Sequence, residues 1–146
     1  MLDPMRDREH HEEHVGSAAA ALRAVVPDEW NRVTERIIGC AIEVHRHLGP
    51  GLLERLYEDA MSYELTQCSL SFDRQRTVRL RYKDVELGEQ RLDMVIADLV
   101  VVELKAVDEV HDVFLAQLGS YMLSADIPLG LLINFNVPAL KHGVRR

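Results

Sequence analysis

The stretch VVVELKAV, residues 100–107, restricts the fold of this chain more than any other segment. Its valines and leucine suit the centre of a sheet, yet Glu103 and Lys105 lie among them. An ionised side chain removed from water is costly unless it is paired or coordinates a metal. The chain must therefore build a central strand whose charged residues have partners. Residues two apart on a strand share a face. Glu103 and Lys105 thus point the same way, about 7 Å apart at the usual strand rise.

The periodicity around this strand supplies the other elements. Ile37, Ile38, Ala41, Val44, His45 and Leu48 recur at helical spacing, and Gly49, Pro50 and Gly51 stop that helix. A second helix is expected over residues 52–67, with Leu53, Leu56, Ala60, Met61 and Leu65 as its apolar face. The repeat then changes. Phe72, Val78, Leu80 and Tyr82 alternate with Arg and Thr as a strand, and YKDV reads as a tight turn. A second strand is expected over 85–96, with Ala97 and Asp98 turning into the opening stretch. Helical spacing returns over 109–124 with Val110, Val113, Phe114, Leu118, Tyr121 and Met122. LGLLINF, 129–135, reads as a buried strand, followed by Pro138 and a basic tail. Helix, helix, three antiparallel strands, helix, strand is an α/β order, and a sheet with helices packed on it is its economical architecture.

The first 29 residues read as an appended arm, with one compact domain over 30–146. Residues 1–30 hold three arginines against seven acids, a net charge of −4 out of the −7 of the whole chain. Such an acidic balance argues against tight non-specific binding of nucleic acid, unless a local patch meets the phosphates. Arg74, Arg76, Arg79 and Arg81 on the first strand form one such patch, and phosphate contacts are usually made by residues of this kind. They serve equally as charges that keep a strand edge soluble. Cys40 and Cys68 are not a C-x-x-C pair, and each reads as a small buried hydrophobe, which suits a reducing cytoplasm. No run of eighteen apolar residues is present, so no membrane span is expected.

The second strand carries Asp93, ten residues before Glu103. A two-residue loop at Ala97-Asp98 would pair Asp93 with Val102 and put the acids on opposite faces. A three-residue loop or a bulge would pair Asp93 with Glu103. In the second arrangement two carboxylates and an ammonium converge. Two carboxylates alone repel, and one takes up a proton. A hard cation such as Mg²⁺ resolves this, because it binds carboxylate oxygen and retains waters. The same residues would also serve as a structural Glu–Lys pair at a sheet end. Glu54 and Tyr57 share one helix face at i, i+3, and Gln117 and Tyr121 share another at i, i+4.

GLLERLY, with Gly51, Glu54 and Tyr57, matches the signature of the GxxExxY proteins. EVHRHLGPG, RLD, VVVELKAV, AQLGSYM and GLLINFNVP are similar to that family in the same order, over residues 31–146. The turn in IADLV is shorter than the family pattern. The GxxExxY family is placed in the PD-(D/E)XK nuclease-like superfamily. The resemblance implies a restriction-endonuclease-like αβββαβ core, a central mixed sheet flanked by helices, and Mg²⁺- or Mn²⁺-dependent cleavage of phosphodiesters. It implies catalytic roles for Glu54, Asp93, Glu103, Lys105, Gln117 and Tyr121, with metal held by Asp93, Glu103 and Glu54. The expected partner is nucleic acid, DNA ahead of RNA, with Arg74, Arg76 and Tyr57 as contacts. A catalytically inactive binding module on the same fold is the alternative, and a homodimer joined through the N-terminal arm is a third reading. His10 and His14 could share a helix face and bind a metal weakly, although a solvated arm explains them as well. His45 lies near a helix end that could approach the site.

Overall fold

Two glycines and a tyrosine set the first turn of the fold. In this computed structural model, which describes residues 26–146, helix α1 runs Asp28–Leu48. Its acidic first turn and its last turn of His45, Arg46 and His47 both complement the helix dipole. Gly49, at φ 65°, ends it with a bond from its N–H to the His45 carbonyl. Gly51, at φ 98°, takes a conformation that disfavours any side chain. Tyr57 then locks the turn: its hydroxyl donates to the Gly49 carbonyl (2.6 Å) and accepts the Leu52 N–H (3.2 Å).

Helix α2, Glu54–Gln67, follows directly. Its buried stripe is Tyr57, Glu58, Met61 and Leu65. Met61 and Leu65 are as expected, but Leu53, 74% exposed, and Leu56, 39% exposed, fall outside the buried face. Tyr57 rotates the stripe by stacking flat on Phe135, with ring centroids 4.4 Å apart.

Strands β1 (Phe72–Tyr82), β2 (Val85–Ile96) and β3 (Val100–Lys105) form an antiparallel meander. Helix α3 (Asp112–Ala125) crosses over to β4 (Leu129–Asn134), which lies parallel to β3. A short 3₁₀ turn, Leu140–His142, leads to β5, Val144–Arg145, an antiparallel edge that the reading of this region as a plain tail did not foresee. The five strands are ordered as in the sequence. This is a mixed α/β sheet of the restriction-endonuclease-like kind. Val78, Leu92, Val95, Val101 and Leu132 pack with Leu118 and the flanking Phe114, Tyr121 and Met122 of α3. By strand alternation Met94, Val102, Leu104, Leu131 and Ile133, almost wholly buried, face away from that cluster, on the side left to the apolar stripes of α1 and α2.

The chain divides into two units, one ending at Val33 and the other spanning 34–146. The described part of the first is 26–33, which contains the opening of α1. Most of the expected arm, including His10 and His14, lies outside the described residues. Among the described residues no helix is long and apolar enough to cross a membrane.

Candidate active site

The β2–β3 turn decides whether the acids can meet. Ala97, Asp98 and Leu99 form a three-residue turn, with Ala97 and Asp98 both left-handed (φ 55° and 51°). Ile96 therefore pairs with Val100, Val95 with Val101 and Met94 with Val102. Continued one step, that register sets Asp93 opposite Glu103. Arg76 braces the turn through an ion pair to Asp98 (2.7 Å) and another to Asp73.

The ladder stops at this step. Side chains supply the hydrogen bonds there: the Leu104 N–H donates to Asp93 Oδ2 (2.9 Å), and the Asp93 N–H donates to Glu103 Oε1 (3.3 Å). The β1 side is interrupted at the same level. Arg74 pairs with Met94 and Arg76 with Leu92, while Gln75, at φ 53°, and Asp93 between them are left out of the pairing. The sheet thus kinks at Asp93, freeing the backbone groups that its carboxylate and that of Glu103 engage.

Glu103 is buried, at 7% exposure, and Asp93 is half-buried. Burial, then the negative charge of Asp93, pushes Glu103 up to about 8. Burial likewise raises Asp93, opposed by the Leu104 N–H and by its hydrogen bond with Glu103. Each carboxyl is thus held above its ordinary range, and the charge of one opposes ionisation of the other. Lys105 follows on the same strand face, its ammonium 4.6 Å from the centroid of the Phe114 ring. Tyr121 comes from α3 toward the pair, and burial together with the charges of Glu103 and Asp93 raises its hydroxyl.

A cleft of about 160 Å³ opens beside Asp93, lined by Glu54, Arg55, Glu58, Gln75, Asp93 and Leu104. Glu54, the first residue of α2, accepts the Ala106 N–H at 3.3 Å, tying the helix start to the end of β3. Among the described residues no three His, Cys, Asp or Glu side chains gather as a metal cage. Glu54 thus stands in the cleft with Asp93 but does not close a trio with Asp93 and Glu103. The donor chemistry still suits a hard divalent cation, since Mg²⁺ is commonly bound through one or two carboxylates with water completing its shell.

Several expected residues are placed differently. Tyr57 cannot contact nucleic acid, because its ring is fully buried and its hydroxyl is engaged by the turn. Arg74 faces Glu58 (2.7 Å) and Asp59, and Arg76 faces Asp73 and Asp98, so each arginine already sits between carboxylates. Arg79 faces Glu86 at 3.4 Å, which further reduces the positive charge of the strand. Gln117 is exposed on α3, one turn before Tyr121. His45 bonds the Val137 carbonyl at 2.8 Å, a tie between α1 and the chain after β4.

Glu58 was missed by the sequence reasoning. It is 8% exposed, takes hydrogen bonds from Arg74 Nε and Nη2 and from Gln75 Nε2 (2.6 Å), and faces the cleft. Its negative charge adds to the rise at Asp93. The available signal was spacing, since Glu58 lies three residues before Met61 and seven before Leu65 on the buried stripe. Asn134 was also missed. Buried at the end of β4, it bonds both the N–H (3.1 Å) and carbonyl (2.9 Å) of Val107, fixing the chain as it leaves β3. Arg74→Ala would leave the buried Glu58 carboxylate with Gln75 alone, and should cost about 2 kcal/mol in urea unfolding. Arg74→Lys should recover only part, because an ammonium lacks the guanidinium fork. A Arg74→Ala midpoint equal to that of the parent would show that the pair contributes nothing.

No curated protein and no solved structure matches the chain. A family model described as the PD-(D/E)XK nuclease superfamily matches residues 31–146, which include the whole acid pair, the cleft and the crossover helix. An acid on each of two splayed strands, a lysine two residues after the second, and a model match over most of the chain lead to one conclusion: this chain belongs to the PD-(D/E)XK nuclease superfamily.

Proposed function

We propose that the chain is a metal-dependent nuclease of the GxxExxY branch that hydrolyses phosphodiester bonds of DNA, or of RNA in second place. The observation that supports this most is the Asp93–Glu103 pair, each carboxylate taking a backbone N–H of the other's strand at the break in the β2–β3 ladder. Asp93 and Glu103 would hold Mg²⁺ or Mn²⁺, with Glu54 reaching in from the cleft wall directly or through water. A cation there supplies Lewis acidity toward the phosphodiester.

The chain's own groups have separable tasks. Lys105 offsets charge on the scissile phosphate and orients the attacking water, since its ammonium lies on the strand face of Glu103. Phe114 holds the lysine head over its ring without neutralising the charge. Tyr121, beside the acids, and Gln117, one turn earlier, position the lysine or a phosphate oxygen. Glu58, held by Arg74 and Gln75, keeps the α2 wall of the cleft negative and so favours cation entry.

The test uses the full chain with single- and double-stranded DNA and RNA, with Mg²⁺, Mn²⁺ or a chelator. Cleavage of at least one substrate is expected with metal and none with chelator. The rest position of Lys105 on Phe114, rather than on an acid, favours a second reading, a nucleic-acid-binding module without turnover. Retardation of DNA or RNA in a gel, with all four substrates intact at both metals, would establish that reading instead.

A further inference from the structure

The two cysteines take no part in the cleft. Cys40 is buried on α1, as the sequence suggested, but Cys68 is exposed at the C-terminal cap of α2. Their sulfurs lie 3.4 Å apart, across 28 residues of sequence. A disulfide bond is about 2.05 Å long, so closure needs the sulfurs to approach by little more than about 1 Å. Cys68 is well placed to move that far. It is the last residue before Ser69, whose left-handed φ of 57° turns the chain out of the helix, and an element terminus absorbs small shifts better than its interior. Arg36 of α1 donates to the Cys68 carbonyl, so the two elements are already joined at this point.

We propose that Cys40 and Cys68 form a site of reversible thiol oxidation, closed to an intrachain disulfide by exchange with a small disulfide such as oxidised glutathione. Exposure sets the order of events. The Cys68 thiolate attacks one glutathione sulfur, the glutathione S–S bond breaks, and one glutathione thiolate leaves. Cys40 then gives its proton to solvent and attacks the Cys68 sulfur, displacing the second glutathione as thiolate. Two protein thiols are oxidised, and one glutathione disulfide is reduced to two thiols. Burial and the hydrogen bond with Cys68 push the Cys40 thiol up to about 12, so the exposed Cys68 and not Cys40 makes the first attack. The chain contains only two cysteines, so no other intrachain bridge competes.

The bridge would staple α1 to the end of α2, the helix whose opposite end carries Glu54 and Glu58 into the cleft. Incubation of the full chain with oxidised glutathione should remove two hydrogens from the intact mass and protect both thiols from alkylation. Digestion should yield a Cys40–Cys68 linked peptide. The melting temperature should rise by roughly 5–10 °C, because the bridge constrains the unfolded chain, and dithiothreitol should reverse it. Cys68→Ser, a change at an exposed position, should show no bridge, no glutathione adduct at Cys40 and no shift. Cys40→Ser should stop with one glutathione on Cys68. A parent chain that stops at that same adduct, that links to a second chain through Cys68, or that does not react would overturn the proposal.

Discussion

Glu103→Gln is expected to lower metal-dependent cleavage on the order of 10³-fold, without destabilising the metal-free chain at pH 8. The two halves have one cause. Near pH 8 the parent Glu103 carries its proton about half the time, held there by burial and by Asp93. A glutamine imitates that protonated form: its amide oxygen can still accept the Asp93 N–H, and its NH₂ can donate to the Asp93 carboxylate. What it lacks is the anionic oxygen that a hard cation requires. Activity and stability are thereby separated, which an alanine at a 7% exposed position would not achieve. Lys105→Met should give a similarly large loss, since it keeps an unbranched side chain of similar length and removes the ammonium that rests over Phe114. The check is initial cleavage rate with Mg²⁺ or Mn²⁺ beside thermal melting of each variant. Undiminished cleavage by Glu103→Gln would mean that the acid pair is not where the chemistry occurs.

The central strand was legible because its composition leaves few alternatives. VVVELK can be buried on both faces only if Glu103 has a partner, and the ten-residue interval to Asp93 identified that partner as soon as the turn length was known. The turn length itself was not legible. Ala97 and Asp98 adopt left-handed conformations that an aspartate tolerates but an alanine does not announce, and Arg76, read as a phosphate contact, is part of what holds them. The kink at Gln75 and Asp93 was hidden for the same reason, as a glutamine at positive φ has no sequence signature. On α2 the apolar pattern misled. Leu53 and Leu56 outrank Tyr57 and Glu58 in hydrophobicity, yet the GPG turn needs the tyrosine hydroxyl and Arg74 needs the acid, so the helix rotates those two inward. Tertiary hydrogen bonds thus overrode the hydrophobic stripe over the first half of the helix, while Met61 and Leu65 kept it in the second.

Without divalent metal, the chain is expected to become less stable as pH rises from about 5 to about 8.5. The direction follows from Glu103. Its ordinary value is 4.5 and the fold raises it to about 8, so the folded state binds the proton more tightly than the unfolded chain. That stabilisation is complete below about 4.5 and is lost as pH passes through about 8. Asp93, also raised, acts in the same direction. Arg74 and Arg76 are raised by their acid partners and stay charged throughout, so their ion pairs add no slope in this window. Urea unfolding in chelator should show a fall on the order of 3 kcal/mol across the range, against a much shallower fall for Glu103→Gln, in which only Asp93 still contributes. Mg²⁺ should act in the opposite sense, because it competes with the Glu103 proton. At pH 8.5 a concentration 100-fold above the dissociation constant should return about 2.7 kcal/mol, and at pH 5 very little. The comparison also separates a cation held by the acid pair from one bound at the exposed carboxylates. Exposed carboxylates are ionised at pH 5 as well as at 8.5, so a cation held by them would stabilise the chain equally at both. A stability profile that is flat or rising between pH 5 and 8.5 in chelator would place the proton elsewhere and remove the physical basis for a cation between Asp93 and Glu103.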